Sequence, residues 1–252
     1  MLRRRILSST PLRFHVSTHL LLIMLELIKE TLKSWGVELT AEQSAKLKLF
    51  QTELLEKNSR FNLVSANDAG RIWPRHILDA LAAVPLLRRL MRAGSAVADA
   101  GAGAGLPGIP LAVAFEDLQF DFWDSSLKRQ LFLTWVISRL GLKNAQAFHR
   151  RIGLGGPRTS ALSEKARSGP PEAAGYDAVM ERAMGKLDNI LPQCLNMAKE
   201  GGIFLAWQSS NPAVLLPEGV RTEEIFAYRL PHEKKDRFIA VFRKDHETKS
   251  DG

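Results

Sequence analysis

The chain has almost no thiol chemistry available to it. Cys194 is the only cysteine in 252 residues, which excludes an intramolecular disulfide framework and any zinc cluster of several thiolates, and suits a reducing, cytoplasmic setting. Beyond His15 and His19 in the basic stretch, the six histidines show no paired spacing, and no metal is expected. No apolar run reaches the ~18–20 residues that a membrane-crossing helix needs, and no membrane partner is expected. Acids are missing from one stretch: residues 1–25 hold Arg3, Arg4, Arg5 and Arg13 and no Asp or Glu, half of the net charge of +8. Arg- and Ser-rich and acid-free, this stretch superficially resembles an organelle transit peptide. The expectation is instead that Met24 is the functional start and that residues 1–23 are a basic leader, disordered or not native. The remainder is moderately basic, compatible with nucleic acid without requiring it.

What is present is the composition of a globular protein, 45% hydrophobic and 25% charged, long enough for a sizeable core. The texture changes once. Residues 24–93 read as helices packed on a core: Leu25, Ile28, Leu32 and Trp35 at helical spacing, a capping box of Thr40 and Gln43 before AEQSAKLKLFQTELLEKNSRF, and a third helix over ILDALAAVPLLRRLM. Residues 94–246 alternate. AVADA, FDFWD, AQAF, YDAVM and IFLAW read as strands, with helical stretches such as SSLKRQLFLTWVISRLGL and GKLDNILPQCLNMAK between most of them. Alternation of this kind predicts an α/β fold, a doubly wound, mostly parallel sheet of right-handed crossovers. EEIFAYRL and DRFIAVFRK, with no helix between them, predict an antiparallel hairpin at a sheet edge. Residues 153–175, rich in Gly, Pro, Ser and Ala, read as a surface loop.

The stretch VADAGAGAGLPGIPLAV at 97–113 puts glycines directly after the first strand of the alternating region and before a helix. Open parallel sheets bind ligands at that place. Gly101, Gly103 and Gly105 spell G-x-G-x-G, but Leu106 stands where a dinucleotide fingerprint has its third glycine, so a pyrophosphate cradle is not spelled. Asp124 ends the second strand, 23 residues after Gly101, near the ~20-residue spacing at which an acid meets ribose hydroxyls. A nucleoside-bearing cofactor without a pyrophosphate fits, namely S-adenosylmethionine, with Asp99 placed to face its ammonium or sulfonium. The other reading is that Asp99 and Asp124 cap turns and the glycines serve close packing.

GAGAGLPGIPLAV preceded by Asp99, FNLVSA at 61–66, RHILDALAAVPLL at 75–87, DSSLKRQLFL at 124–133 and the Arg-Ala of ERAM at 182–183 together resemble the glucose-inhibited division protein B family, over roughly residues 24–243. The resemblance implies a Rossmann-like class I methyltransferase that moves a methyl from S-adenosylmethionine to guanine N7 of small-subunit ribosomal RNA, acting as a monomer on that RNA or on the assembling subunit. It implies cofactor contacts at Gly101 and Leu106 in the glycine loop, at Ile152 and Gly153 beside the adenine, and at Arg182 at the edge of the active site. Three positions depart from the family pattern: Gly153 replaces its usual acid, Trp207-Gln208-Ser209 replaces Leu-Lys-Gly, and Glu181 replaces the serine before the arginine.

Two catalytic devices are missing. MERAM stands where amine methyltransferases carry an Asp/Asn-Pro-Pro-aromatic motif, and Cys194 follows Gln193 rather than a proline. Guanine N7 needs neither, because its in-plane lone pair carries no proton and attack needs alignment rather than a base. No catalytic side chain is therefore expected. Arg75, His76, Lys128 and Arg129, with Arg71 nearby, are the candidate grips for RNA phosphate; each is otherwise a solvated surface charge. Trp73, Trp123, Trp135 and Trp207 read as core aromatics. The alternatives are a methyltransferase for another RNA or a small molecule, a nicotinamide oxidoreductase, which Leu106 disfavours, and a non-catalytic RNA-binding module, which has no use for Asp124.

Overall fold

Thr40 opens a long helix as its sequence dictates. Its hydroxyl accepts the Gln43 N–H while the Gln43 amide oxygen accepts the Thr40 N–H, at 3.1 and 3.0 Å. This computed structural model describes residues 18–152, 175–231 and 233–246. Residues 1–17 of the basic stretch, most of the Gly/Pro-rich loop, and Gly153 lie outside the described residues. Helix α1 (Thr18–Ser34) runs across the expected boundary at Met24; Ile28 and Leu32 are buried, but Leu25 is exposed. Helix α2 (Ala41–Phe61) buries Leu47, Phe50 and Leu54, and the short α3 (Ala66–Ala69) follows.

The third predicted helix is broken. A π-helical turn (Ile72–Ile77) leads into α4 (Leu78–Leu81), and α5 (Val84–Leu90) starts afresh. Pro85 is the cause: it has no N–H to give to Leu81 and its ring crowds that carbonyl. The same residue suits the first turn of the new helix, where α5 carries it.

Strands β1 (Ala96–Ala100), β2 (Gln119–Asp124), β3 (Ala145–His149), β4 (Tyr176–Arg182), β5 (Ala198–Gln208), β6 (Val220–Tyr228) and β7 (Arg237–Lys244) form one sheet in the order β3-β2-β1-β4-β5-β7-β6. The first five are mutually parallel; β7 is antiparallel to both β5 and β6. The hairpin thus reaches the edge with its second strand inside, a swap that local sequence cannot encode. Helices α6 (Gly108–Ala114) and α7 (Leu127–Leu140) pack with the N-terminal helices in a single apolar cluster, which includes Leu81, Ile109, Phe122 and Leu133. Helix α8 (Leu187–Leu195) covers a second cluster with Ala98, Val179 and Phe204. Both faces are therefore covered, as a parallel sheet requires. Chain order reverses between β1 and β4, so the carboxyl ends of β1, β2 and β4 frame the crevice where such sheets bind ligands.

Candidate active site

The loop after β1 is pinned to the end of β2 by two bonds. Ala102 N–H reaches the Trp123 carbonyl at 3.0 Å, and Gly103 N–H reaches Asp124 Oδ2 at 2.9 Å. Asp124 is buried, and its other oxygen accepts the Ser126 N–H at 2.7 Å. Both oxygens of this acid thus order the loop and the start of α7. Asp99 does similar work on the other side: it is buried, and Oδ2 accepts the Gly108 N–H at 2.9 Å. Burial pushes its carboxyl up to about 7, against that hydrogen bond and the attraction of Arg182.

The glycines divide into two kinds. A Cβ on Gly101 would overlap Met184 Sδ, one on Gly105 would meet Ile109 Cγ1 at 2.6 Å, and one on Gly108 would overlap Phe122 Cε1 and Asp99 Oδ2. What approaches the backbone there is the protein itself. At Gly103, with φ +57°, the nearest atom is a backbone oxygen at 3.7 Å. That one faces open space. Leu106 has its side chain in the apolar core, so only its backbone is available to a ligand. Ile152 is half-buried against the cluster that contains Ala98 and Ala100.

At the end of β4, Glu181 is 1% exposed and burial pushes its carboxyl up to about 7. It accepts the Met184 N–H at 3.1 Å. This closes a turn in which Ala183 holds φ +67°, a left-handed conformation seldom adopted by residues with a side chain. The departure from serine therefore puts a second buried acid on the neighbouring strand, and its charge raises Asp99 a little further. Arg182 neighbours both acids electrostatically, but its guanidinium bonds elsewhere, to Asp79 Oδ2 at 2.9 Å.

Asp79 is the residue that sequence reasoning missed. It is 1% exposed and joins four strands to the N-terminal helices. Besides Arg182 on β4, it accepts Tyr228 OH on β6 at 2.6 Å and Arg237 on β7 at 3.1 Å, and its carbonyl accepts Trp207 Nε1 on β5 at 3.0 Å. The signal was available: an acid inside ILDALAAVPLL belongs to a buried apolar run and needs partners.

The candidate RNA residues fall into two groups. Arg75 and His76 lie on the π-helical turn below Asp79, near Asp68 Oδ1 at 3.3 and 3.5 Å. Burial, helped by Arg182, pushes the His76 imidazole down to about 4. It is then neutral near pH 7, so what it offers a phosphate is a hydrogen bond rather than a charge. Its Nε2 is buried and, although Asp68 Oδ1 lies 3.5 Å away, the geometry makes no hydrogen bond. Lys128 and Arg129 lie in the first turn of α7. A cation in the first turn opposes the helix dipole, and for Arg129 this is answered locally, because its Nη1 lies 3.8 Å from Asp124 Oδ2. Lys128 is exposed and makes no ion pair among the described residues. Cys194 is fully buried, and burial raises its thiol.

A glycine loop at the switch point, with an acid ending each of the first two strands, defines a Rossmann-like methyltransferase site. The family model GidB, described as rRNA small subunit methyltransferase G, matches residues 43–218. Proteins named ribosomal RNA small subunit methyltransferase G are similar over most of their length. The one from Yersinia enterocolitica is 33% identical over 87% of this chain and 99% of its own. That from Lachnoclostridium phytofermentans is 31% identical over 86% and 88%, and that from Sorangium cellulosum 36% over 79% and 73%. A crystal structure of an MtNAS mutant in complex with S-adenosylmethionine shares the fold, with a TM-score of 0.50 at 15% identity, covering 81% of this chain and 76% of that one. The chain belongs to the rRNA small subunit methyltransferase G family.

Proposed function

We propose that the protein transfers a methyl group from S-adenosylmethionine to guanine N7 of small-subunit ribosomal RNA, as a monomer in the cytoplasm. The observation that carries the reading is the open cradle at Gly103, held between Asp99 and Asp124 at the switch point. The residues fit this cofactor. A backbone bare of side chains suits a nucleoside, and two buried acids, Asp99 and Glu181, suit a cationic methionine end. When bound, the cofactor supplies an electrophilic methyl on a positively charged sulfur. On this reading Asp124 takes the ribose hydroxyls, Ile152 and Gly153 the adenine, and Gly101, Leu106 and Arg182 the rest. The protein's task is then to orient donor and acceptor in line and to exclude water, since N7 needs no general base.

Calorimetry with the purified protein is expected to show S-adenosylmethionine binding and no measurable binding of NAD. Ribosomal RNA from a strain lacking the gene is expected to lose one N7-methylguanine, which the purified protein restores in vitro. NAD binding in preference to S-adenosylmethionine, or an unchanged methylation map, would refute the reading.

A further inference from the structure

A second concavity lies outside the site described so far. The last turn of α2 and the middle of α7 enclose a cleft of about 250 Å³, lined by Lys57, Arg60, Phe61, Leu131, Phe132 and Trp135. Its floor is aromatic: Phe132 is buried, with the Phe61 and Trp135 rings 6.2 and 6.3 Å from it. The lining holds two cations and no acid. The Lys57 ammonium sits over the Trp135 ring at 4.6 Å and also pairs with Glu56 at 3.2 Å. Arg60 is exposed and makes no ion pair among the described residues.

The cleft is connected to the cofactor site by a stripe on α7. Leu127, Leu131 and Trp135 recur every four residues and so share one face. Both leucines are 53% exposed, on a helix that buries its other apolar side chains. The stripe starts three residues after Asp124 and runs about 12 Å at 1.5 Å per residue. Flat rings flanked by cations are what single-stranded nucleic acid binds: bases stack, and phosphates meet Lys and Arg. The volume admits one ring system and falls short of the ~300–1,000 Å³ of pockets that enclose whole small molecules.

We propose that this cleft takes one unpaired base of the substrate RNA, stacked among Trp135, Leu131 and Phe61, with the adjoining phosphates on Arg60 and Lys128. The base displaces the Lys57 ammonium from the Trp135 ring and frees it for phosphate. The inference rests on the reading that the substrate is RNA and adds where the strand is held.

The test titrates the full-length protein with an unstructured, single-stranded oligoribonucleotide of mixed sequence at several salt concentrations. Cofactor affinity and methylation of small-subunit ribosomal RNA are measured alongside. Trp135→Leu is expected to weaken RNA binding about tenfold, while Trp135→Phe stays within about twofold of wild type. Arg60→Gln is expected to lower the log–log salt slope by about 0.7. None of the three should change S-adenosylmethionine affinity. If both Trp135→Leu and Arg60→Gln bind RNA as wild type does while wild type methylates ribosomal RNA, the cleft is not the RNA site and the functional reading stands alone. A dimer that Leu131→Asp disperses would give the cleft to a second copy and also overturn the proposal. Wild-type protein that neither binds the cofactor nor methylates RNA would remove both.

Discussion

Asp99 and Glu181 are two buried carboxyls near the ends of adjacent strands, facing opposite sides of the sheet and both raised to about 7 chiefly by burial. In the folded protein they hold protons that the unfolded chain releases near pH 4. Their contribution to stability is complete below the ordinary carboxylate range and is lost as pH rises through about 7. Unfolding free energy from denaturant titrations is therefore expected to fall between about pH 5 and pH 8, and to fall less in Asp99→Asn, which has no proton to lose. Saturating S-adenosylmethionine should flatten the wild-type slope, because a bound cation favours the ionised form. Equal slopes in wild type and variant would show that Asp99 stays ionised throughout. At the same scale, Gly103 and Gly108 separate two uses of glycine. Gly108→Ala forces a methyl into Phe122 and Asp99 and is expected to cost ~1–3 kcal/mol of stability. Gly103→Val meets open space; it is expected to lose ~1–2 kcal/mol to left-handed strain yet to remain folded by circular dichroism, with cofactor binding lost in calorimetry.

Among the elements, strands were more legible in the sequence than helices. AVADA forms β1 with the boundaries its alternation predicts, and FDFWD and AQAF extend by one residue each. The first two are mostly buried on both faces and β3 is an edge strand, and in each case composition and flanking turns mark the segment. IFLAW grows into an eleven-residue strand, because AKEGG continues the pairing through a register shift opposite Tyr176 and Ala178, and nothing in its composition advertises a strand. The run at 77–91 misled for the opposite reason: its apolar period continues through Pro85, but the hydrogen-bond ladder does not. The turn between Asp99 and Asp124 was legible because a local turn at a strand end has a local signature. The Asp79 cluster was not, because its partners lie between 103 and 158 residues away in sequence. Only tertiary structure brings them together.

For the molecule as a whole, one apolar cluster runs from Ile28 and Leu32 in α1 to Ile239 and Val241 in β7, and Asp79 ties the same two ends with charge. Asp79→Ala leaves Arg182 and Arg237 partly buried without their common acceptor. The expected loss is ~3–5 kcal/mol, read as a lower denaturation midpoint in one cooperative transition rather than as separate melting of the helices. A second transition would show that residues 24–93 fold as a unit of their own. The arrangement has a consequence for how the protein is made. Synthesis delivers Asp79 first and Arg237 last, and β7 must enter between β5 and β6, both already translated. Until β7 emerges, the helices present an acid without Arg237, the second of its guanidinium partners, and β5 presents an open edge. A nascent chain therefore completes this sheet and the Asp79 cluster only once β7 has been made.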